Sequence, residues 1–168
     1  ELVAEDYVFG YKRFLDPKIL SPRTNDFLEF GFLGADEFYA SAKKDGWNPD
    51  MVIEGLKAVD KYTLQFKLKK PDPQLMQWIS FHAYVPIARE VWDKYKDSGN
   101  KIQSNPVGTG PYYLKEWKRS SKIVLEANPK FRGIKFPDSS EDPADQAIIA
   151  QMKGKTLPAI GRVEINII

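Results

Sequence analysis

Ser80 and His82 stand two positions apart in "SFHAYVP", and His82 is the only histidine of the chain. A hydroxyl near an imidazole is the raw material of a nucleophile–base pair, which also needs a third group to orient the base. No G-x-S-x-G elbow frames Ser80, so a hydrolase is the weaker of the enzymatic and binding readings. A metal centre needs three or four converging ligands, and no Asp, Glu or second His flanks His82 at ligand spacing. The chain has no cysteine, which excludes disulfides, thiol catalysis and thiolate metal sites. No metal and no cofactor is therefore expected. Paired acids occur at Glu5-Asp6, Asp36-Glu37 and Glu141-Asp142, each at an expected helix start or loop, where the dipole and solvent account for them. "GTGPYY" has the glycines of a phosphate cradle. It lacks the lysine of one, and Pro111 removes an N–H that such a cradle would need. A structural corner at Gly108, Gly110 and Pro111 is the better reading, with glycines able to take positive φ.

These residues must be positioned by elements that the hydrophobic pattern outlines. "ELVAEDYVFGYKRFLDP" reads as a helix burying Ala4, Val8, Tyr11 and Leu15, stopped at Asp16-Pro17. "PKILSPRTNDF" reads as loop, and "GADEFYASAKKDG" as a second helix ending at Gly46. Tyr62, Leu64, Phe66 and Leu68 alternate with polar residues, which predicts a hairpin strand turning at Asp60-Lys61. "PQLMQWISF" predicts a short helix with Leu75, Trp78 and Ile79 inward, and "AREVWDKYKDSG" another closed by Gly99. "YYLKEWK" and "SKIVLEANP" predict two strands about Arg119-Ser120, the second covered on both sides at Val124. "RGIKFPDSSEDP" reads as loop, "ADQAIIAQMKGK" as a helix with Ile148, Ile149 and Met152 inward, and "RVEINII" as a last strand.

The bounds agree with a mixed α/β sheet. The chain has 168 residues and 42% hydrophobic content, enough for one domain or one and a part. Lys plus Arg is 25 against 23 for Asp plus Glu, so nothing in the charge points to nucleic acid. No apolar run approaches the roughly 20 residues of a membrane helix. Four Trp, eight Tyr and ten Phe exceed the usual need of a small core, which leaves some for an amphipathic cleft. The chain opens at Glu1 and closes on an apolar strand, as expected of a piece of a longer protein.

Four ordered stretches carry a resemblance. "LVAEDYVFGYKRFLDPKILSP", "GLKAVDKYTLQFKLKKPDP", "PVGTGPYYLKEW" and "IVLEANPKFRG" resemble the motifs of the extracellular solute-binding proteins, family 5, which serve peptide- and nickel-type ABC importers. Val3 stands where the family has Thr, Leu56 for Val, and Phe131 for Tyr. The stretch 134–157 departs from the family by an inserted acidic loop and helix.

The resemblance implies a mixed α/β, periplasmic-binding-protein-like type II fold, present in part. Residues 1–104 would be the extra subdomain of the first lobe. Residues 105–168 would be part of that lobe's core sheet, entered through the corner at Gly108–Pro111. It implies a binding protein rather than an enzyme, for di- or oligopeptides. The same clamp serves nickel chelates, haem or oligosaccharides in the alternative reading. Its partner would be an ABC permease, and its place periplasmic or extracellular, at the membrane. In peptide-binding members the residue after "S-P" and the loop before "V-P-I" face the cleft. Here these are Arg23, whose guanidinium suits an acidic group of a ligand, and the pair Phe81 and His82.

Overall fold

The structure is a computed structural model and describes residues 1–167. Its helices and strands are mixed, as the pattern predicts, and they fall into two compact units, Glu1–Ile102 and Gln103–Ile168.

The first unit is built on α1 (Ala4–Lys12), which runs on through a 3-10 turn at Arg13–Leu15. Val3 has no side-chain oxygen to cap it. Asp6 closes half of a capping box instead, its Oδ2 accepting from Val3 N at 2.9 Å. The free N–H of Ala4 is taken up by the Lys61 carbonyl, also at 2.9 Å, which ties the helix start to the hairpin turn. Ala4, Val8, Tyr11 and Leu15 are all buried, as their spacing requires. The helix also buries Phe9, which packs edge-on against Trp47 and Trp92, 6.1 and 5.5 Å away between ring centroids. On the other side Tyr11 meets Phe27, Phe66 and Tyr84, and Phe27 continues into Phe32 at 5.1 Å. The abundance of aromatic residues is thus spent largely on two packed clusters around one helix.

The "PKILSPRTNDF" segment is not all loop: it leads into α2 (Thr24–Glu29). Six residues give too short a period to show in the sequence, and α2 is held by the burial of Phe27 and Phe30. α3 (Ala35–Asp45) begins and ends on glycines in positive φ, Gly34 at 81° and Gly46 at 94°. β1 (Leu56–Ala58) and β2 (Leu64–Phe66) pair antiparallel, with Leu56 opposite Phe66. Their turn is set by Asp60, whose Oδ1 accepts from the backbone N–H of Tyr62 and Thr63 at 2.8 and 2.9 Å. Those donors hold the Asp60 carboxyl below its ordinary range. Leu64, Phe66 and Leu68 are half-buried, whereas Tyr62 is exposed, because it lies in the turn beyond the paired residues.

α4 (Leu75–Ile79) and α5 (Arg89–Tyr95) complete this unit. α4 buries Leu75 and packs half-buried Ile79 against the core, but Trp78 is 48% exposed, because a five-residue helix offers the core only one turn. Gly99 does not close α5. The helix ends at Lys96 in extended backbone, and Asn100 takes the left-handed turn at φ 60°. Asn100 is fixed there from three sides. Its carbonyl accepts from Arg13 Nη2 at 3.0 Å and Trp92 Nε1 at 3.1 Å, and its Nδ2 donates to buried Asp16 at 2.7 Å.

The second unit holds a three-stranded antiparallel sheet of β3 (Tyr112–Lys118), β4 (Lys122–Ala127) and β7 (Arg162–Asn166), with β4 central. A register shift between Leu114 and Glu116 lets Leu114 and Trp117 share a face with Ile123, Leu125, Val163 and Ile165. The opposite face carries ion pairs, among them Lys122 with Glu116 at 3.4 Å and Arg162 with Glu126 at 2.9 Å. Val124 sits among them fully buried, and no residue of β4 is exposed.

The inserted stretch is more ordered than loop and helix. β5 (Ile134–Lys135) and β6 (Thr156–Leu157) pair antiparallel and clasp it at its base, around α6 (Gln146–Met152). Asp142 caps the 3-10 turn before α6, accepting from Ala144 N at 2.8 Å. Ile149 of α6 is buried and Met152 half-buried, but Ile148 is 54% exposed, since a seven-residue helix turns only a narrow side inward.

The corner before β3 departs from the expected glycine chemistry. Neither Gly108 nor Gly110 is among the glycines in positive φ, and a Cβ on Gly110 would meet nothing within 4 Å. The corner is held by Asn128 after β4, whose Nδ2 donates to Gly110 O at 3.0 Å and whose N donates to Pro111 O at 2.8 Å.

Candidate functional site

Two segments of the first unit carry Arg23, Phe81 and His82. The first is the "SPRT" turn before α2. Ser21 Oγ accepts from Arg23 N at 3.2 Å, and Thr24 Oγ1 donates to the carbonyls of Phe14 and Ser21 at 2.7 and 3.0 Å. Serine and threonine here give the backbone local partners that fix the turn before the helix starts. The second is the segment Ser80–Ile87 after α4. Its anchor is Tyr84, buried against Phe14 at 5.1 Å and Phe30 at 5.3 Å. Its far end lies on α1, where Ile87 N donates to Asp6 O at 3.0 Å. Gly10 allows that approach: a Cβ there would stand 3.0 Å from Val85 O and 3.2 Å from Ile87 N.

The two segments bring the three residues together. The Arg23 guanidinium lies over the Phe81 ring, 5.2 Å from its centroid. The rings of Phe81 and His82 are tilted against each other at 4.0 Å. Phe81 is 39% exposed, so an aromatic surface faces outward beside a cation. Arg23 already has an acid of its own: Nη1 reaches Asp26 Oδ2 at 2.7 Å, one helical turn on, with both side chains about two-fifths exposed. Asp26 thereby holds the Arg23 guanidinium even more firmly charged. Burial, together with the Asp26 charge, raises the hydroxyl of Tyr84 above the ordinary tyrosine range.

Sequence reasoning had no purchase on Asp26 and Tyr84. Asp26 lies three residues after Arg23, the spacing of a helical ion pair, but α2 is too short to show a helical period in the sequence. Tyr84 is marked only by lying between His82 and Pro86. The Ser80 hydroxyl donates to Gln77 O at 2.7 Å, and no hydrogen bond joins Ser80 to His82 among the described residues. No group of three or more His, Cys, Asp or Glu side chains is placed to hold a metal among them either. No helix of the described residues is long and apolar enough to cross a membrane.

Residues 1–168 match the family described as bacterial extracellular solute-binding proteins, family 5 Middle. A probable deoxycholate-binding periplasmic protein of Escherichia coli is 32% identical over 131 residues, 78% of this chain and 23% of that protein. The periplasmic murein peptide-binding protein MppA of the same organism is 32% identical over 131 residues, 77% of the chain and 23% of its own length. Among solved structures, Haemophilus influenzae OppA in complex with RPPGFSPFR superposes with a TM-score of 0.63 at 25% identity, covering 79% of this chain and 24% of that one. Escherichia coli MppA superposes with a TM-score of 0.60 at 28% identity, covering 78% and 24%. The chain thus spans about a quarter of the length of the relatives it matches, and it is part of a type II periplasmic-binding-protein fold. The chain belongs to the bacterial extracellular solute-binding proteins of family 5.

Proposed function

We propose that this chain is part of the substrate-binding component of an ABC importer. The whole protein binds di- or oligopeptides by closing two lobes on them and hands them to a membrane permease. No bond is made or broken. Its place is the periplasm or the outer face of the membrane. Residues 1–104 form the extra subdomain of the first lobe, and residues 105–168 enter that lobe's sheet. Arg23, Phe81 and His82 face the solute. The observation that carries this reading is the family match over residues 1–168, together with relatives named for peptide binding. A cation over an exposed aromatic ring suits a solute with both polar and apolar parts.

A second reading has one specific support, the 32% identical relative named for deoxycholate: the same clamp closing on an amphipathic, rigid solute. A ligand that binds only the folded state raises the melting temperature by mass action. The test is a thermal-shift screen of the full-length protein with peptides of two to five residues, deoxycholate, a nickel chelate, haem and an oligosaccharide. Peptides are expected to raise the midpoint. A shift with deoxycholate alone moves the conclusion to the second reading, and a shift with the nickel chelate, haem or the sugar alone contradicts both.

A further inference from the structure

We infer that Asp26 sets the specificity of this site: by occupying Arg23 it turns a cationic residue into part of a neutral aromatic platform, which accepts a planar apolar side chain of the solute and rejects a carboxylate. The inference rests on the reading above that Arg23, Phe81 and His82 face the solute.

An arginine at a ligand cleft attracts acids because burying its charge requires a partner. Here the partner is built in, since Asp26 Oδ2 lies 2.7 Å from Nη1. A ligand carboxylate brought to the same guanidinium would come close to the Asp26 carboxylate as well. Lobe closure excludes water, and in the lower dielectric that like-charge contact is strengthened. The gain from Arg23 is then largely offset by repulsion from Asp26. The ion pair also fixes where the guanidinium lies, over the Phe81 ring with its central carbon 5.2 Å from the centroid. Phe81 in turn sits against His82 at 4.0 Å and keeps 39% of its surface open. What the site offers outward is ring surface. Arg23 has five N–H donors, and Asp26 is the only acceptor that the guanidinium has among the described residues. The remaining donors suit a neutral carbonyl of the peptide backbone, and the rings suit an aromatic side chain next to it.

The experiment is titration calorimetry on the full-length protein with an alanine tetrapeptide carrying Phe or Asp at each position in turn. The wild type is expected to prefer Phe over Asp by about tenfold at one position, the scale of one aromatic contact with its buried area. Asp26→Asn frees Arg23, and Asp at that same position is expected to gain about tenfold. The double variant Arg23→Gln/Asp26→Asn should show no such gain, which separates charge release from a general change in the loop. Phe81→Ala should erase the preference for Phe. Peptides that bind with an unchanged Phe-to-Asp ratio in Asp26→Asn overturn the assignment while leaving peptide binding intact. A wild type that binds Asp best does the same. Failure of every peptide to bind overturns the peptide reading, and this assignment with it.

Discussion

Gly55 lies where three backbone segments meet. Its N–H donates to Leu33 O at 2.7 Å and its carbonyl accepts from Lys67 N at 2.9 Å. A Cβ at this position would stand 2.4 Å from both Leu33 N and Lys67 O, so the backbones must part to admit one. Gly55→Ala is expected to lower stability by about 1–3 kcal/mol, the usual cost of overpacking. Denaturant titration checks it, and an unchanged midpoint would contradict the packing. Tyr11 makes a second prediction. Its hydroxyl is pushed up to about 12, chiefly by burial and further by Tyr7 and Tyr84. A raised folded-state value means that the folded chain keeps a proton the unfolded chain loses. Stability from this group is therefore whole below pH 10 and falls as pH rises from 10 to about 12, by about 2–3 kcal/mol at one pH unit per 1.4 kcal/mol. Lys12 works the other way. Burial lowers its ammonium, so its penalty on the folded state fades as pH climbs towards the free lysine value. Unfolding midpoints measured from pH 9 to 12 should show the loss in the wild type and a smaller one in Tyr11→Phe.

Elements differ in how far the sequence announces them. α1, the hairpin turn at Asp60 and the strands of the second sheet are written in local pattern: helical spacing, an Asx turn, period-two burial. α2 is not, because six residues cannot show a period and Phe27 is packed by Tyr11 and Phe14, partners distant in sequence. The inward faces of α4 and α6 are narrower than the apolar pattern suggests, for a related reason. Trp78 and Ile148 are apolar, but each of these one- or two-turn helices buries one residue fully, Leu75 or Ile149, and only the packing decides which. The candidate site shows the same division. Arg23, Phe81 and His82 are marked by motif position, whereas Asp26 and Tyr84 act through α2 and the aromatic cluster, which only tertiary contacts reveal. The inserted stretch offers an element-scale prediction. Lys135 and Thr156 face each other in register, so a two-residue Asn-Gly turn can join them directly. Replacing residues 136–155 by Asn-Gly is expected to keep the β3–β4–β7 sheet and to leave ligand affinity of the full-length protein within about twofold, the scatter of surface changes. Calorimetry on that variant checks it, and lost binding would give the insertion a part in the clamp.

At the scale of the molecule, the chain is about a quarter of the relatives it matches, and the site proposed at Arg23, Phe81 and His82 is a half-open platform rather than a closed pocket. Binding by closure needs an opposing surface to exclude water and bury the solute, since one exposed face leaves most of a ligand solvated. Affinity should therefore belong to the assembled clamp and not to these residues alone. The most direct measurement is a pair of calorimetric titrations with one panel of peptides, on the full-length protein and on residues 1–168 by themselves. The account predicts micromolar or tighter binding to the full-length protein and no measurable heat from the 168-residue chain. Equal affinity for both would contradict closure as the source of binding, and no peptide binding to the full-length protein would contradict the peptide reading itself.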